Sequence, residues 1–259
     1  RSLCDFARVC QPAIRLTPFH RTYYNTLDRF AHGQIRRLIV SVPPQHGKSL
    51  GSSVLLPAYL LGIAPQTRIA LASYNLRLAS RFNPRGQRLM SEPAYRDVFP
   101  ATRLKTSSAK QPNVIRTSDE FELIGAPGGL LSVGREGALT GNPVDVFILD
   151  DLYKDAAEAN SPLIRDHAWE WYNAVVKTRL HNDSRELIVF TRWHEDDLIG
   201  RIAAHEPVLE LTASSESYNG KTQAEQWLHL NFEAVKQSPP TPSDPRKPGE
   251  ALWPERHGI

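Results

Sequence analysis

A phosphate-binding loop is the first place in this sequence where residue types and spacing indicate chemistry. The segment from Ile35 to Ser49, IRRLIVSVPPQHGKS, carries an apolar run, two prolines and then Gly47, Lys48 and Ser49. In a P-loop, backbone N–H groups and a helix N-terminus face a phosphate, the lysine adds positive charge, and the hydroxyl can ligate Mg²⁺. Val42 stands where the motif GxxxxGK[ST] has its first glycine, so the loop alone does not decide the function.

A pair of carboxylates ends the apolar stretch VDVFILDD at residues 144–151. A buried strand that ends in an acid places that charge at the carboxyl edge of a parallel sheet, where α/β folds bind ligands. Asp150 would hold Mg²⁺ together with Ser49, and Asp151 could orient and deprotonate an attacking water. A lone acid after a strand is usually a loop cap, but two acids downstream of a GKS loop favour the catalytic interpretation.

A third apolar stretch, LIVFTRWHEDD, begins at Leu187 and ends in polar residues. Thr191 would emerge next to Asp150 in the sheet, where its hydroxyl could sense a γ-phosphate with electrostatic support from Arg192. The histidine and acids at residues 194–197 could form a metal cluster, but acids at a helix N-terminus also complement the helix dipole. We favour the helix-terminus interpretation.

Strands that alternate with helices must position these residues, which predicts an α/β fold with a parallel sheet covered on both faces. The glycines between residues 125 and 141 predict a loop, and residues 114–116 and 121–124 predict a hairpin. Pro57 is expected to kink or bound the helix after the P-loop, and Pro84 to interrupt the next helix. The predicted strands are 35–42, 67–73, 144–149, 187–191 and 226–235, and the predicted helices are 18–33, 47–61, 75–90, 161–180 and 195–204.

Composition limits the remaining protein classes. The chain has 259 residues, of which 41% are hydrophobic and 23% charged, and its net charge is +3, as in ordinary globular proteins. Two cysteines, Cys4 and Cys10, are too few for a disulfide scaffold and favour an intracellular compartment. No apolar run reaches the roughly 18 residues of a transmembrane helix, so no membrane association is expected. After residue 206, the polar segment 213–225 and the proline-rich segment 238–249 predict an appended piece and a linker.

Six segments together resemble the ATPase half of the large subunit of tailed-phage terminases, from about Pro18 to Arg256 and in the order of that family. The resemblance implies a RecA-like, additional-strand (ASCE) P-loop NTPase with a central, mostly parallel sheet and a small C-terminal lid and linker subdomain. It also implies ATP and Mg²⁺ as cofactors, and an RNase H-like nuclease beyond residue 259. The family often lacks the first P-loop glycine, which accounts for Val42. The segments are PPQHGKS, GALTGNPVDVFILDDLYKD, EANSPLIRDHAWEWY, VVKTRL, LIVFTRWHEDDLIGR and GEALWPER.

Individual roles follow from the resemblance by position. Lys48 and Ser49 match the phosphate and Mg²⁺ residues, and Asp150 matches the Walker B acid. Asp151 matches a catalytic carboxylate that is more often Glu, and the shorter Asp reaches less far; Thr191 matches the coupling motif. The resemblance implies two divisions, an ATPase core at 1–205 and a lid with linker at 206–259. The core would contain an adenine-contact segment (18–33), the P-loop (42–49), Walker B (144–151) and the coupling motif (187–192).

Further positions match the family with alternatives left open. His20 and Tyr23 lie where the family contacts adenine, although a buried aromatic staple would give the same pattern. Gln45 and His46 belong to the nucleotide-binding loop, and Gln45 stands where the family often has a basic residue. Arg135 is the candidate for an arginine finger that a subunit inserts into its neighbour, with an exposed, solvated arginine as the alternative.

The function implied by the resemblance is a motor that hydrolyses ATP and translocates double-stranded viral DNA into a prohead. The implied partners are double-stranded DNA, the portal protein, the small terminase subunit and further copies of the chain in a homo-oligomeric ring of five, acting in the host cytoplasm and not in the mature virion. A helicase or remodelling ATPase shares the motor core, but it needs a second RecA-like domain, for which residues 206–259 are too short. A non-catalytic, nucleotide-dependent DNA-binding or assembly module is the third interpretation.

A basic stripe lies on the helix predicted at residues 75–90. Its members recur at spacings of three and four and therefore share one helix face. Such a stripe could track a DNA backbone, or it could be a solvated face, which is the more common outcome. The members are Arg77, Arg81, Arg85 and Arg88.

Overall fold

The computed structural model describes residues 2–106, 114–139, 143–211 and 226–257. Its centre is an eight-stranded sheet with the strand order β3-β4-β2-β5-β6-β1-β8-β7, in which β3 is antiparallel to β4 and the other neighbours are parallel. This sheet confirms the predicted α/β fold. The strands are β1 (Arg37–Ser41), β2 (Arg68–Ser73), β3 (Glu120–Glu122), β4 (Gly129–Gly134), β5 (Val144–Asp150), β6 (Leu180–Phe190), β7 (Val208–Glu210) and β8 (Trp227–Asn231).

Helices cover both faces of the sheet. Leu38 and Val40 of β1 belong to one buried apolar cluster, whereas Ile39 belongs to a second, because successive side chains of a strand point to opposite faces. In the described part of the chain, no helix has the length and apolar composition that a membrane crossing needs. The helices are α1 (Leu3–Cys10), α2 (Pro18–Ala31), α3 (Lys48–Leu50), α4 (Leu56–Ile63), α5 (Leu76–Ser91), α6 (Pro93–Val98), α7 (Ala156–Asn160), α8 (Pro162–Trp171) and α9 (Leu198–His205).

Two π-helical turns extend these helices in the described part of the chain. A π-helical turn at Gly51–Leu55 connects α3 to α4, so that one continuous helical segment follows the P-loop and Pro57 lies in the first turn of α4. A second π-helical turn, Tyr172–Val176, and a 3₁₀ turn, Lys177–Arg179, extend α8. These extensions carry the helical path close to the predicted ends at residues 61 and 180.

The strand order places the three predicted motifs side by side. β6 lies between β1, which precedes the P-loop, and β5, which ends in Asp150, as expected for an additional-strand P-loop sheet. All three strands are parallel, and Ser41 pairs with Phe190 while Asp150 pairs with Val189. Their carboxyl ends therefore meet at one edge of the sheet, where the candidate site is built.

The structure corrects three predictions between β2 and β5. Pro84 does not interrupt α5 but lies inside it, because Asn75 caps the helix by accepting from the Leu78 N–H at 2.8 Å and because the helix buries one face. The segment predicted as a glycine-rich loop contains β4, whose Gly129–Gly134 pairs with both β2 and β3. The predicted hairpin is reduced to a single antiparallel bridge between Arg116 and Phe121.

The segment after residue 206 contributes to the central sheet. β8 pairs with β1 and β7 pairs with β8, so the sheet does not divide at the predicted boundary between core and lid. The proline-rich segment also packs against the protein, because the buried Lys236 ammonium lies 3.3 Å from the Asp244 carboxylate. The polar segment predicted at 213–225, and Gly141 of the predicted glycine loop, lie outside the described residues. The division into core and lid stays a prediction.

Candidate functional site

The P-loop turns through two left-handed backbone positions. Gln45 has φ 62° and Gly47 has φ 78°, and the chain then enters α3 at Lys48. The left-handed region is easy for glycine but costs a residue with a side chain, so neighbouring contacts must hold Gln45 in place. A Cβ at Gly47 would lie 3.5 Å from the His20 ring, which shows how closely α2 approaches the loop.

The Lys48 side chain joins the three predicted motifs. Its ammonium donates to the Asp151 carboxylate at 2.6 Å and to the Thr191 hydroxyl at 3.0 Å. The Thr191 hydroxyl in turn donates to the Val42 carbonyl at 3.1 Å, which ties the end of β6 to the start of the P-loop. The structure therefore brings together the residues that the sequence placed at the ends of three separate strands.

Asp150 is completely buried and has one carboxylate oxygen without a hydrogen-bond partner among the described residues. Its other oxygen accepts from the Ser53 hydroxyl at 2.5 Å. Burial and the neighbouring negative charge of Asp151 raise the pKa of Asp150 to about 6, against the lowering effects of Lys48 and of hydrogen bonds from Ser53 and Ser49. An unpartnered buried carboxylate oxygen beside a serine hydroxyl is a fitting donor set for Mg²⁺, which prefers oxygen ligands.

The backbone of Asp151 is left-handed, with φ 53°. Three contacts hold it there: its N–H donates to the Val189 carbonyl at 3.1 Å, and its carbonyl accepts from the Tyr74 N–H at 2.8 Å and the Ser73 hydroxyl at 3.1 Å. A left-handed aspartate is strained, and such strain is frequent at functional sites. The turn directs the carboxylate towards Lys48 instead of continuing the strand.

The two residues predicted to contact adenine are buried beside the P-loop. Tyr23 is fully buried and donates to the Lys48 carbonyl at 2.9 Å. His20 is 4% exposed, and its Nδ1 lies 2.7 Å from the Thr17 hydroxyl. Burial lowers the pKa of His20 to about 4. Both residues support the loop from behind, and a contact with adenine stays a prediction.

Arg135, the predicted finger, is held within its own chain. Its side chain is 12% exposed, and its guanidinium donates to the Leu152 carbonyl at 3.0 Å and to the Glu158 carboxylate at 3.1 Å. Leu152 directly follows the catalytic candidate Asp151, so Arg135 lies at the same sheet edge. A role in a neighbouring subunit would require Arg135 to leave Glu158, and that role stays a prediction.

The segment 194–197 contains a helix cap and two ion-pair positions. Asp197 is buried, accepts from the Gly200 N–H at 2.9 Å to cap α9, and pairs with Arg192 at 2.5 Å. Asp196 pairs with Arg165 and Arg201. Within the described ranges, no group of three or more histidine, cysteine or acidic side chains could hold a metal ion.

The sequence reasoning missed two groups of residues at the site. Ser53 follows Ser49 by four residues, so a helical spacing could have indicated that it faces Asp150 as well. The C-terminal residues also reach the P-loop: the ring of Trp253 lies 4.7 Å from that of His20, and the ring of His257 lies 4.6 Å from that of His46. No local sequence signal announces this second, long-range contact.

Comparisons with known proteins identify a family. A model described as terminase large subunit, T4-like virus type, N-terminal, matches residues 39–241. No curated protein matches the chain. The similar solved structures include the large terminase of a thermophilic bacteriophage with ADP, at 11% identity, 90% of this chain, 45% of that chain and a TM-score of 0.38. The same terminase with ATP-γ-S has 12% identity and a TM-score of 0.38, and the match covers 90% of this chain and 45% of that chain. A chain of an S. cerevisiae Dbp5 complex with Nup159, Gle1, IP6 and ADP has 14% identity and a TM-score of 0.44, and the match covers 90% of this chain and 53% of that chain. This chain therefore spans about half the length of the solved chains it matches.

Proposed function

The chain belongs to the N-terminal family of terminase large subunits of T4-like virus type, and from this membership we propose that it is a Mg²⁺-dependent ATPase that translocates double-stranded DNA into a prohead. The observation that carries the proposal is the contact of Lys48 with both Asp151 and Thr191. A P-loop lysine, a second acid and a strand-end hydroxyl in direct contact are the parts that ATP hydrolysis and its coupling to motion require.

ATP binding exchanges the partners of Lys48. The ammonium is held by Asp151, and a γ-phosphate at the N-terminus of α3 offers it a stronger anionic partner. When Lys48 moves to the phosphate, the Asp151 carboxylate becomes free to accept a proton from the attacking water. The left-handed backbone of Asp151 fixes the direction of that carboxylate, which compensates in part for the short reach of an aspartate.

Mg²⁺ would be held by the Ser49 hydroxyl and the unpartnered oxygen of Asp150. When bound, the ion neutralises charge on the phosphate oxygens. Burial raises the pKa of Asp150, whereas Lys48 and the Ser53 hydroxyl favour its charged form, which is the form that acts as a ligand. The hydrogen bond from Ser53 fixes the other oxygen of Asp150 and leaves the free one in a defined position.

Thr191 passes the state of the nucleotide from the P-loop to the sheet. Its hydroxyl accepts from Lys48 and donates to the Val42 carbonyl, so a displacement of Lys48 removes one of its two bonds. Thr191 follows β6 directly, and β6 pairs with both β1 and β5. In the assembled motor we further propose a ring of five copies with the portal protein and the small subunit, in the host cytoplasm.

The test of hydrolysis compares Asp151→Asn with the wild-type chain. We expect steady-state phosphate release to fall at least about 100-fold, since the general base is lost. The Kd of a fluorescent ATP analogue should change by less than about threefold, which is about the net effect of one hydrogen bond. Asp183→Asn is the matched control, because that side chain is 81% exposed. Unchanged phosphate release from Asp151→Asn would support the non-catalytic module instead.

Translocation and the trans-acting arginine need separate measurements. A translocating motor should strip a triplex-forming oligonucleotide from duplex DNA when ATP is present and fail to do so with ATP-γ-S. For Arg135, the ATPase rate per chain is measured against protein concentration for the wild type and Arg135→Ala. A rate per chain that rises with protein concentration in the wild type but not in Arg135→Ala supports the arginine finger. A rate that depends neither on concentration nor on the substitution refutes it.

A further inference from the structure

Helix α5 presents an uninterrupted basic face to solvent. Its residues, LRLASRFNPRGQRLMS, include four arginines and no acid. At about 100° per residue, these arginines fall within an arc of roughly 80° and span about 16 Å along the axis. The opposite face is buried against the protein, so the helix has a fixed orientation. The four exposed residues are Arg77, Arg81, Arg85 and Arg88.

These four guanidinium groups form no ion pair or hydrogen bond with any other residue in the described ranges. Many arginines elsewhere in the chain are paired: Arg165 binds Asp196, Arg192 binds Asp197 and Arg201 binds Asp166. In a chain with a net charge of only +3, a stripe of four unpaired arginines concentrates positive charge on one surface. Such a surface raises the local concentration of an anionic partner.

A fifth arginine extends this face at the C-terminal end of α5. The exposed Arg116 donates to the Gln87 amide oxygen at 2.9 Å and lies 3.5 Å from the Ser91 hydroxyl, both on α5. Its partners are neutral, so its positive charge is not cancelled. We call the surface formed by Arg77, Arg81, Arg85, Arg88 and Arg116 the arginine face.

The helix that carries the arginine face begins next to the backbone of the candidate catalytic residue, Asp151. Asn75 caps α5, and the N–H of the preceding residue, Tyr74, donates to the Asp151 carbonyl at 2.8 Å. The Ser73 hydroxyl donates to the same carbonyl. A change in the backbone of Asp151 would therefore act on the first turn of the helix that carries the arginines.

We propose that the arginine face binds the phosphate backbone of double-stranded DNA, an inference that rests on the proposed motor function. Its length of about 16 Å equals the axial rise of about five phosphates on one strand of B-DNA. Arginine binds phosphate through planar, bidentate hydrogen bonds, and backbone contacts carry no sequence information, as a motor that moves along any sequence requires. A folded acidic protein would need carboxylates at a matching spacing, whereas a duplex supplies the spacing by its repeat.

The test replaces the four α5 arginines with glutamine and measures binding to a fluorescein-labelled 30-base-pair duplex by anisotropy over a series of salt concentrations. The slope of log K against log salt should shrink by about 0.9 for each phosphate that the variant no longer neutralises, and thus by three to four in total. At about 0.1 M salt we expect the Kd to rise at least tenfold. Circular dichroism and ATPase activity without DNA should stay at the wild-type level, because no substituted residue contacts the nucleotide site.

The matched control removes the same charge elsewhere, by replacing the exposed arginines at positions 8, 15, 21 and 179 with glutamine: Arg8, Arg15, Arg21 and Arg179. Equal reductions of affinity in both variants, or an unchanged slope in the α5 variant, would overturn the inference and leave the proposed ATPase intact; the second outcome would point to a different partner for this face. If the wild-type chain binds no duplex even at about 0.02 M salt, where screening is weak, both the inference and the DNA part of the proposed function fail.

Discussion

His20 makes the stability of the fold depend on pH in a calculable way. The side chain is 4% exposed and lies behind the P-loop, and its Nδ1 is 2.7 Å from the Thr17 hydroxyl. Burial lowers its pKa to about 4, and a hydrogen bond to the His46 backbone opposes this shift only in part. The ring is therefore neutral in the folded protein over the whole range in which a free histidine gains a proton.

The sign and size follow from proton linkage. The unfolded chain protonates this histidine near pH 6.5, whereas the folded chain does so only near pH 4. The contribution of His20 to stability is thus fully present above pH 6.5 and is lost progressively as the pH falls from 6.5 to 4. Between pH 7 and pH 5 the free energy of unfolding should drop by about 2 kcal/mol because of this residue.

Urea unfolding of the wild type and His20→Gln at pH 7 and pH 5 measures this contribution. Glutamine keeps a donor and an acceptor but does not titrate, so the variant should lose about 2 kcal/mol less than the wild type over this range. Asp150, whose pKa is raised, acts in the opposite direction in both proteins and cancels in the comparison. His32→Gln, at a histidine whose side chain is 44% exposed, controls for the loss of one histidine from the chain. Equal pH dependence in His20→Gln and the wild type would refute the reasoning.

Three further perturbations test the packing of the site and the chain around it. Thr191→Val removes hydrogen bonds to the P-loop and should lower kcat about tenfold with the ATP Kd nearly unchanged, as phosphate release and nucleotide titration would show. Gly51→Ala places a Cβ 2.7 Å from a buried tyrosine ring and should cost 1–3 kcal/mol of unfolding free energy, roughly, whereas Gly86→Ala, with nothing within 4 Å, should be neutral or stabilising; thermal melts compare them. Asp244→Ala removes the nearer carboxylate of the buried Lys236, which keeps only Glu233 at 3.8 Å, and it also removes the partner of Arg246 at 2.8 Å. It should destabilise by up to about 3–5 kcal/mol in urea titrations, while an unchanged midpoint would contradict a stabilising buried ion pair.

Hydrophobic periodicity predicted those strands that are continuous apolar runs. RLIVS, RIALAS and VDVFILD became β1, β2 and β5, because strands buried on both faces contain few polar residues. β4 was missed since glycines open and close it, and glycine normally weakens a strand. β6 begins earlier than predicted. Its first half, LHNDSRE, is polar and only partly buried, so hydrophobic periodicity did not mark it as a strand. Tertiary pairing with β5, which no local pattern encodes, keeps that half extended.

The candidate site was predictable in its members but not in its contacts. Residues that follow parallel strands must gather at one sheet edge, so Lys48, Asp150 and Thr191 could be grouped from their positions after three apolar runs. The sequence did not contain the strand order, and thus could not show that Lys48 contacts Asp151 directly. It also could not show the left-handed turn at Asp151, because most aspartates have a negative φ even though aspartate is enriched among the few left-handed residues with a side chain.

The missing first glycine of the P-loop makes these contacts necessary. A glycine-rich loop can take its shape from the freedom of its own backbone, but here Val42 occupies that position and Gln45 must be left-handed. The loop is therefore shaped from outside: the Val42 carbonyl is held by Thr191, and the Gln45 carbonyl lies 3.3 Å from the His257 ring. Since one of these supports comes from the residue after β6 and the other from the C-terminal segment, a movement of either element would act on the loop that is proposed to bind the phosphates.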